Sequence, residues 1–302
     1  MIEREIEISC ETSDLRIDTY LSEVIGKSRS FCSKIIKKGL VLVNNKTVKP
    51  SYNVNLGDEI LVKIPQEEKL DLKPANIPLN IIYENQYYLI INKPAGLCVH
   101  PAPGNFDNTL VNALLYHFQI NDDNDVRPGI VHRLDKDTSG LILVAKNRDV
   151  REKMSEMFKE REVDKKYLAI CYGNPKWDEI LVENSIGRHP VDRKKMAVVE
   201  NGRYAKTKIT VLKRYDNIFL ADVKIYTGRT HQIRVHCSYL GCPIIGDKVY
   251  GNKLSNKIRF ERQALHAYYL AFDCPFTKEK KIFEIDMSED MKAFLGSLNT
   301  NS

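Results

Sequence analysis

The sequence predicts an α+β fold in two parts, and three observations carry the prediction. Segments that alternate apolar and polar residues, as strands do, are interspersed along the chain with segments of helical spacing. Residues 65–78, with Glu67-Glu68-Lys69 between prolines and no periodicity, read as a linker. The run from Gly129 to Gly140 gathers Asp135 and Asp137, three cations and two hydroxyls immediately ahead of the apolar Leu141-Ile142-Leu143-Val144-Ala145, a polar loop feeding a buried strand. The expected division is a small α/β domain over 1–65, a linker over 66–78, a larger domain over 79–298 and a disordered tail over 299–302.

Composition narrows the class of protein. The N-terminus alternates charge with Ile and has no apolar h-region, and no window approaches the roughly 18 apolar residues of a membrane span. The seven cysteines are odd in number, scattered and without a C-x-x-C pair, which reads as reduced thiols in the cytoplasm rather than a disulfide framework. A formal net charge of +6 permits a polyanionic partner without demanding one.

In the small domain, Glu3–Ile8 alternates like a strand. Residues 16–25 carry apolar side chains at 17, 20, 21, 24 and 25, a helical spacing. A second helix is expected over Ser28–Lys38, with Ser28 as its N-cap, Phe31, Cys32 and Ile35 as its apolar positions and Gly39 as its stop. Lys27, Arg29, Lys34, Lys37 and Lys38 gather on and around it. On a helix standing alone, such a face is more often solvated surface than a binding site. Short strands follow at 40–43, 46–48 and 59–64, with turns at Asn44-Asn45 and Leu56-Gly57-Asp58.

In the large domain, strands are expected at 81–83 and 87–93, and Pro94 and Gly96 end the second. Thr109 caps a helix over 110–118, and residues 147–160 place apolar side chains at 150, 154, 157 and 158, a helix on the outside of a sheet. Strands follow at 165–173, 206–209 and 219–226. Arg188-His189-Pro190 and Arg193–Val198 form a basic, hairpin-like region that is either a phosphate-contacting edge or plain surface. Thr230 is the expected N-cap of a helix whose Ile233, Cys237 and Leu240 face the core. A final strand and helix close the domain over 280–296.

The string His132-Arg133-Leu134-Asp135-Lys136-Asp137-Thr138-Ser139-Gly140 resembles the catalytic loop H-R-L-D-x-x-T-S-G of the RluA/RluD family of RNA pseudouridine synthases at all seven fixed positions. Lys165-Lys166-Tyr167-Leu168-Ala169 resembles the family's K-x-Y-x-A, and Thr227–His236 its T-G-R-x-H-Q-[IL]-R-x-H. Gly241–Asp247 and Arg262–Ala267 continue the likeness, which runs from about residue 14 to about 290. Within the small domain, R-x-D-x-x-L, the basic helix closed by Gly39, V-x-V-N-N-K and Gly57-Asp58 resemble an S-four-type RNA-binding domain. The resemblance implies a catalytic domain with a central, mostly antiparallel mixed sheet and flanking helices.

It also implies a reaction. Conversion of uridine to pseudouridine breaks the bond from the sugar to ring nitrogen 1 and makes one to ring carbon 5, with no redox step. Asp135 takes the family's catalytic position as nucleophile; it must be ionised, and a neighbouring arginine favours that. Arg234 resembles the arginine that pairs with it, and Arg229 is the other candidate. Tyr167 would stack on the extruded base. Arg133, with His132, Arg229 and Thr138 of the same motifs, would bind the substrate, and the lysines of the small domain with Arg29 would hold RNA phosphates. Asp137 falls in the family's variable pair and is read as structural or electrostatic. No metal is expected, because His231, His236, Cys237 and Cys242 match no zinc spacing. No nucleotide cofactor is expected either, as glycine-rich phosphate motifs are absent.

The two-domain arrangement and the string Pro101-Ala102-Pro103-Gly104-Asn105 resemble the large-subunit ribosomal RNA branch of the family more than branches that lack the small domain. The resemblance implies that substrate, with transfer RNA as the alternative, and the protein is expected to be a monomer. The rival readings are a non-catalytic RNA-binding protein on the same fold, and a carboxylate hydrolase cleaving a sugar bond.

Overall fold

The computed structural model describes residues 2–65, 72–101, 107–118, 129–192 and 195–299. Parts of the linker and of the basic region (Arg193 and Lys194), most of the Pro101–Asn105 string and residues 300–302 lie outside them. The chain divides into two compact units, Met1–Leu70 and Asp71–Ser302.

The first unit is a four-stranded antiparallel sheet with two helices on it. The strands are β1 (Ile2–Ser9), β2 (Val41–Val43), β3 (Lys46–Thr47) and β4 (Glu59–Pro65), in the order β1-β4-β2-β3. The helices are α1 (Ile17–Val24) and α2 (Arg29–Lys37). Ile17 and Leu21 of α1 and Ile35 and Ile36 of α2 pack with Val41, Ile60 and Val62 of the sheet, so the helical and alternating periodicities meet in one core. The Ser28 hydroxyl caps α2 by accepting from the Phe31 N–H at 3.2 Å. Gly39 at φ +72 lets its N–H reach the Ile36 carbonyl and that of Leu40 the Ile35 carbonyl, an αL ending.

The second unit is built on a ten-stranded sheet. Its elements are β5 (Ile81–Glu84), β6 (Tyr88–Lys93), α3 (Leu110–His117), β7 (Ser139–Ala145), α4 (Arg148–Lys159), β8 (Asp164–Tyr172), β9 (Glu179–Arg188), β10 (Met196–Val198), β11 (Arg203–Tyr215), β12 (Ile218–Ile225), α5 (Gln232–Tyr239), β13 (Leu265–Asp273), β14 (Lys280–Glu284) and α6 (Glu289–Asn299). The order is β10-β9-β11-β12-β8-β13-β7-β6-β5, with β14 beside β13. The pair β13–β7 is parallel and the other pairings are antiparallel, the mixed α+β sheet the sequence implied. Asn299, assigned to a tail from sequence, is the last residue of α6.

Strand β7 is buried along its whole length, and its alternation feeds two cores. Ile142 and Val144 join α3, α5 and α6 on one face; Leu141, Leu143 and Ala145 join Val150, Met154 and Met157 of α4 on the other. Its first residues must also admit β13, because Gly140 pairs with Ala267, which pairs in turn with Tyr167 of β8. Gly140 has φ +114, and a Cβ there would sit 2.2 Å from the Ala267 carbonyl oxygen. Gly140→Ala is therefore expected to lower stability by about 2–4 kcal/mol through overpacking and backbone strain, measured as a shift in the urea midpoint of this unit.

Candidate active site

The loop before β7, the middle of β8, the end of β12 and the start of α5 converge on a pocket. Arg133, Leu134, Asp135, Thr138, Tyr167, Ile225, Arg229, His231, Arg234 and Leu265 are among its walls. At its centre Arg234 Nη1 donates to Asp135 Oδ2 at 2.9 Å. The other side of the same guanidinium donates to Asp247, Nε to Oδ2 at 2.7 Å and Nη2 to Oδ1 at 2.9 Å. This two-pronged bond fixes the guanidinium plane and so aims Nη1. Burial pushes the Asp247 carboxyl up, but the Arg234 guanidinium and the Val249 and Tyr250 N–H groups outweigh it and hold the group below the usual range. The sequence singles out Arg234 and leaves Arg229 open as the partner. The Arg229 Nε instead donates to the Tyr204 carbonyl at 2.9 Å, on the pocket wall.

Every carbonyl of the turn Asp135-Lys136-Asp137 is tied down. The Asp135 carbonyl accepts from the Thr138 N–H at 3.1 Å. The Lys136 carbonyl accepts from the Gly96 N–H and from Lys93 Nζ, both at 3.0 Å. The Asp137 carbonyl accepts from Arg262 Nη1 at 3.2 Å. Lys93 is fully buried and gives its other two protons to the Pro94 and Leu97 carbonyls. Burial lowers its amine to about 8 against the pull of Asp137, which leaves it an ammonium with three donors at neutral pH. The turn is thus a rigid support for Asp135.

The remaining predicted residues divide. Tyr167 is buried in the pocket wall, and burial, then the Asp135 carboxylate, raise its phenol well above the ordinary value. Thr138 is buried and accepts from Gln263 Nε2 at 3.2 Å. Arg133 is exposed at the rim. His132 does not line the pocket: its Nε2 accepts from the Leu143 N–H at 2.9 Å and its ring stacks on Phe158 at 4.4 Å. Burial, then Lys165, hold that imidazole down at about 3, so it stays neutral and fixes the loop to β7. In the first unit Lys27, Arg29, Lys34, Lys37 and Lys38 are all exposed on or beside α2, and Arg29 also lies 3.3 Å from Asp18.

One expectation is corrected. Thr230 does not cap α5; His231 is the N-cap, in the left-handed region at φ 56 and ψ 21, with no side-chain cap. The local turn is organised from inside by Gln232, whose Oε1 accepts from the Thr227 hydroxyl at 2.7 Å and the Arg229 N–H at 3.0 Å. A non-glycine residue held at such angles costs on the order of 1–3 kcal/mol and persists only where its surroundings enforce it. Here His231 Nδ1 is 2.8 Å from the Tyr250 hydroxyl and Nε2 is 3.9 Å from Asp135 Oδ2. The roles of Asp247, Tyr250 and Lys93 escape sequence reasoning; Gly241–Asp247 and the stretch Asn92–Pro101, both similar to the family, are the signals that point to Asp247 and Lys93.

Among the described residues no group of acidic, histidine or cysteine side chains is arranged to hold a metal. Among the same residues no helix is long and apolar enough to cross a membrane.

The chain matches the family described as RNA pseudouridylate synthase over residues 87–239, and the S4 domain over residues 15–60. It is 42% identical to an uncharacterized RNA pseudouridine synthase of Aquifex aeolicus, across 100% of this chain and 99% of that one. It is 40% identical to the ribosomal large subunit pseudouridine synthase D of Pseudomonas aeruginosa, across 99% of this chain and 96% of that one. Among solved structures it is similar to human RNA pseudouridylate synthase domain containing 1, with a TM-score of 0.59 and 27% identity over 74% of this chain and 96% of that one.

Proposed function

The chain belongs to the RNA pseudouridylate synthase family, and from that premise we propose that it isomerises uridines of large-subunit ribosomal RNA with Asp135 as nucleophile. The target uridine leaves its stack and enters the pocket, at a cost of a few kcal/mol that is lowest in loops. Tyr167 gives the freed base a face to stack on, and Arg133 holds the strand at the rim. With Asp135 as nucleophile the bond from the sugar to ring nitrogen 1 breaks, the freed base turns, and ring carbon 5 bonds to the sugar as Asp135 is released. The carbon-5 proton passes to solvent while nitrogen 1 takes one up; no external energy source enters. The observation that carries this reading is the Arg234 Nη1 bond to Asp135 Oδ2 inside a pocket that Tyr167 also lines. The ribosomal substrate is supported by the full-length likeness to the Pseudomonas enzyme. We take the protein to act as a monomer in the cytoplasm; among the described residues the cysteines are free thiols, in keeping with that compartment.

The test is release of tritium from ribosomal RNA labelled at carbon 5 of uridine, with pseudouridine mapped in RNA from cells with and without the protein. The expected outcome is release with RNA mass unchanged and one or more uridines that lose their pseudouridine in the deletion strain. Free uracil or abasic sites in the product would make the site a hydrolase instead.

The α2 lysines supply affinity without sequence choice. Lys34→Ala with Lys37→Ala is expected to weaken binding to any RNA and to flatten the slope of log K against log salt by roughly 0.7–0.9 for each phosphate no longer neutralised. Titrations at several salt concentrations read this directly, and an unchanged slope would remove the two residues from the RNA interface.

A further inference from the structure

We propose that His231 and Asp135 together form a subsite for a single hydroxyl, the ribose 2′-hydroxyl of the target nucleotide, and so make the pocket selective for ribose. The inference rests on the reading that a target uridine enters this pocket.

The neighbours of the imidazole decide which of its nitrogens carries the proton. The Tyr250 hydroxyl oxygen accepts from the Met196 N–H at 2.9 Å, and its own proton then has His231 Nδ1, 2.8 Å away, as its acceptor. Nδ1 is therefore the acceptor nitrogen and Nε2 carries the hydrogen. The opposite tautomer would aim a bare lone pair at the Asp135 carboxylate, and burial disfavours the doubly protonated ring. The result is an Nε2–H donor facing a carboxylate acceptor.

At 3.9 Å, Nε2 and Oδ2 are too far apart for a hydrogen bond to each other. Two hydrogen bonds of about 2.8 Å that span this 3.9 Å gap meet at roughly 90°, so one oxygen can accept from Nε2–H and donate to Oδ2. That oxygen has to be donor and acceptor at once, which a hydroxyl is and a carbonyl or phosphate oxygen is not. Within an RNA chain the 3′ and 5′ oxygens are esterified, and the 2′-hydroxyl is the free one; it is also the group by which proteins tell RNA from DNA. It adjoins the sugar carbon at which the glycosidic bond breaks. The hydroxyl and Arg234 both use Oδ2 and leave Oδ1 for the reaction.

The two groups are also held rigidly with respect to each other. The His231 ring is fixed by Tyr250, whose own N–H donates to Asp247 Oδ1 at 3.0 Å, and whose ring lies 5.0 Å from the Arg234 guanidinium carbon. The anchor of the imidazole and the anchor of the carboxylate are thus one assembly, and His231 holds a left-handed backbone at the head of α5. His231 lines the pocket wall together with Asp135.

The experiment compares two short RNAs that span a uridine at which pseudouridine has been mapped, identical except that one carries 2′-deoxyuridine there. The mapping judges the parent reading by itself, and this comparison judges only the subsite. Dissociation constants are measured for wild type and for His231→Asn; asparagine tolerates the left-handed backbone and is too short to reach both Tyr250 and the hydroxyl. Wild type is expected to bind the ribose form about tenfold more tightly, and His231→Asn to bring that ratio close to one with little change for the deoxy form. Tyr250→Phe, which keeps His231 but removes the hydroxyl that fixes its tautomer, is expected to shrink the ratio as well. Equal binding of both RNAs by wild type overturns the proposal. So does a His231→Asn protein that weakens both RNAs alike, which is the mark of a merely structural histidine.

Discussion

Asp135→Asn is expected to abolish pseudouridine formation, with a loss on the order of 10,000-fold or more in single-turnover rate, as removal of the proposed nucleophile requires. The substitution keeps the shape of the side chain and can still accept a hydrogen bond from Arg234, so it removes charge and nucleophilicity and little else. The fold has reason to survive it. Arg234 retains both bonds to Asp247, at 2.7 and 2.9 Å, and is not left as an uncompensated buried cation. The backbone turn that carries Asp135 is held through carbonyls that bind Thr138, Lys93, Gly96 and Arg262, none of which depends on the carboxylate. Unfolding free energy is therefore expected to stay within about 1 kcal/mol of wild type, the scale of a partly exposed ion pair. Tritium release measures the chemistry and RNA binding is measured alongside. Binding that persists while release disappears is the expected pattern; release within about tenfold of wild type, a barrier change of only about 1.4 kcal/mol, would take the nucleophile's role away from Asp135.

What can be read from the chain follows the range of the interactions involved. Asp135, Tyr167 and Arg234 stand in strings whose order is a local property, and each string can be met one at a time. Asp247 cannot be weighed that way, because it matters through a guanidinium reached only when Gly246, at φ +73 beneath the Arg262 carbonyl, turns the chain back. Lys93 reads as the end of a strand; that its ammonium is buried and saturated by three carbonyls is a tertiary fact. The cap expected at Thr230 comes from a local rule that fails because Gln232 satisfies the turn from the core side. Strand β9 leaves no clear trace because the polar Asn184 stands between its buried residues Val182 and Ile186 on their face and breaks the apolar alternation. The first unit, by contrast, is governed by nearby signals, the Ser28 cap and the Gly39 ending, and those are legible at once.

Asp247→Asn is expected to damage both stability and activity, and the two losses have one cause. Arg234 is 6% exposed and Asp247 is 1% exposed, so the ion pair between them is desolvated on both sides. Losing one charge of a buried pair costs about 3–5 kcal/mol when the other is left unpaired. Arg234 keeps its 2.9 Å bond to the partly exposed Asp135, so a loss of about 3 kcal/mol, the lower end, is expected, and the amide group of asparagine would turn an N–H toward the guanidinium donors. With its second prong lost, Arg234 no longer holds Nη1 in place, and mispositioning of this kind costs on the order of 100-fold in rate. The sign of the pH dependence follows from the depressed Asp247 carboxyl. A folded-state value below the unfolded one, about 3.9 for aspartate, gives stability that is complete above the unfolded value and is lost as pH falls through the folded one. Wild type and Asp247→Asn should therefore differ most near neutrality and converge in acid. Trp177, the sole tryptophan, packs edge-on against Phe219 at 6.0 Å in the second unit, so its fluorescence in urea reports on the unit that contains the site. A difference between the two proteins that stayed constant down to strong acid would mean that the pair is not what stabilises this wall of the pocket.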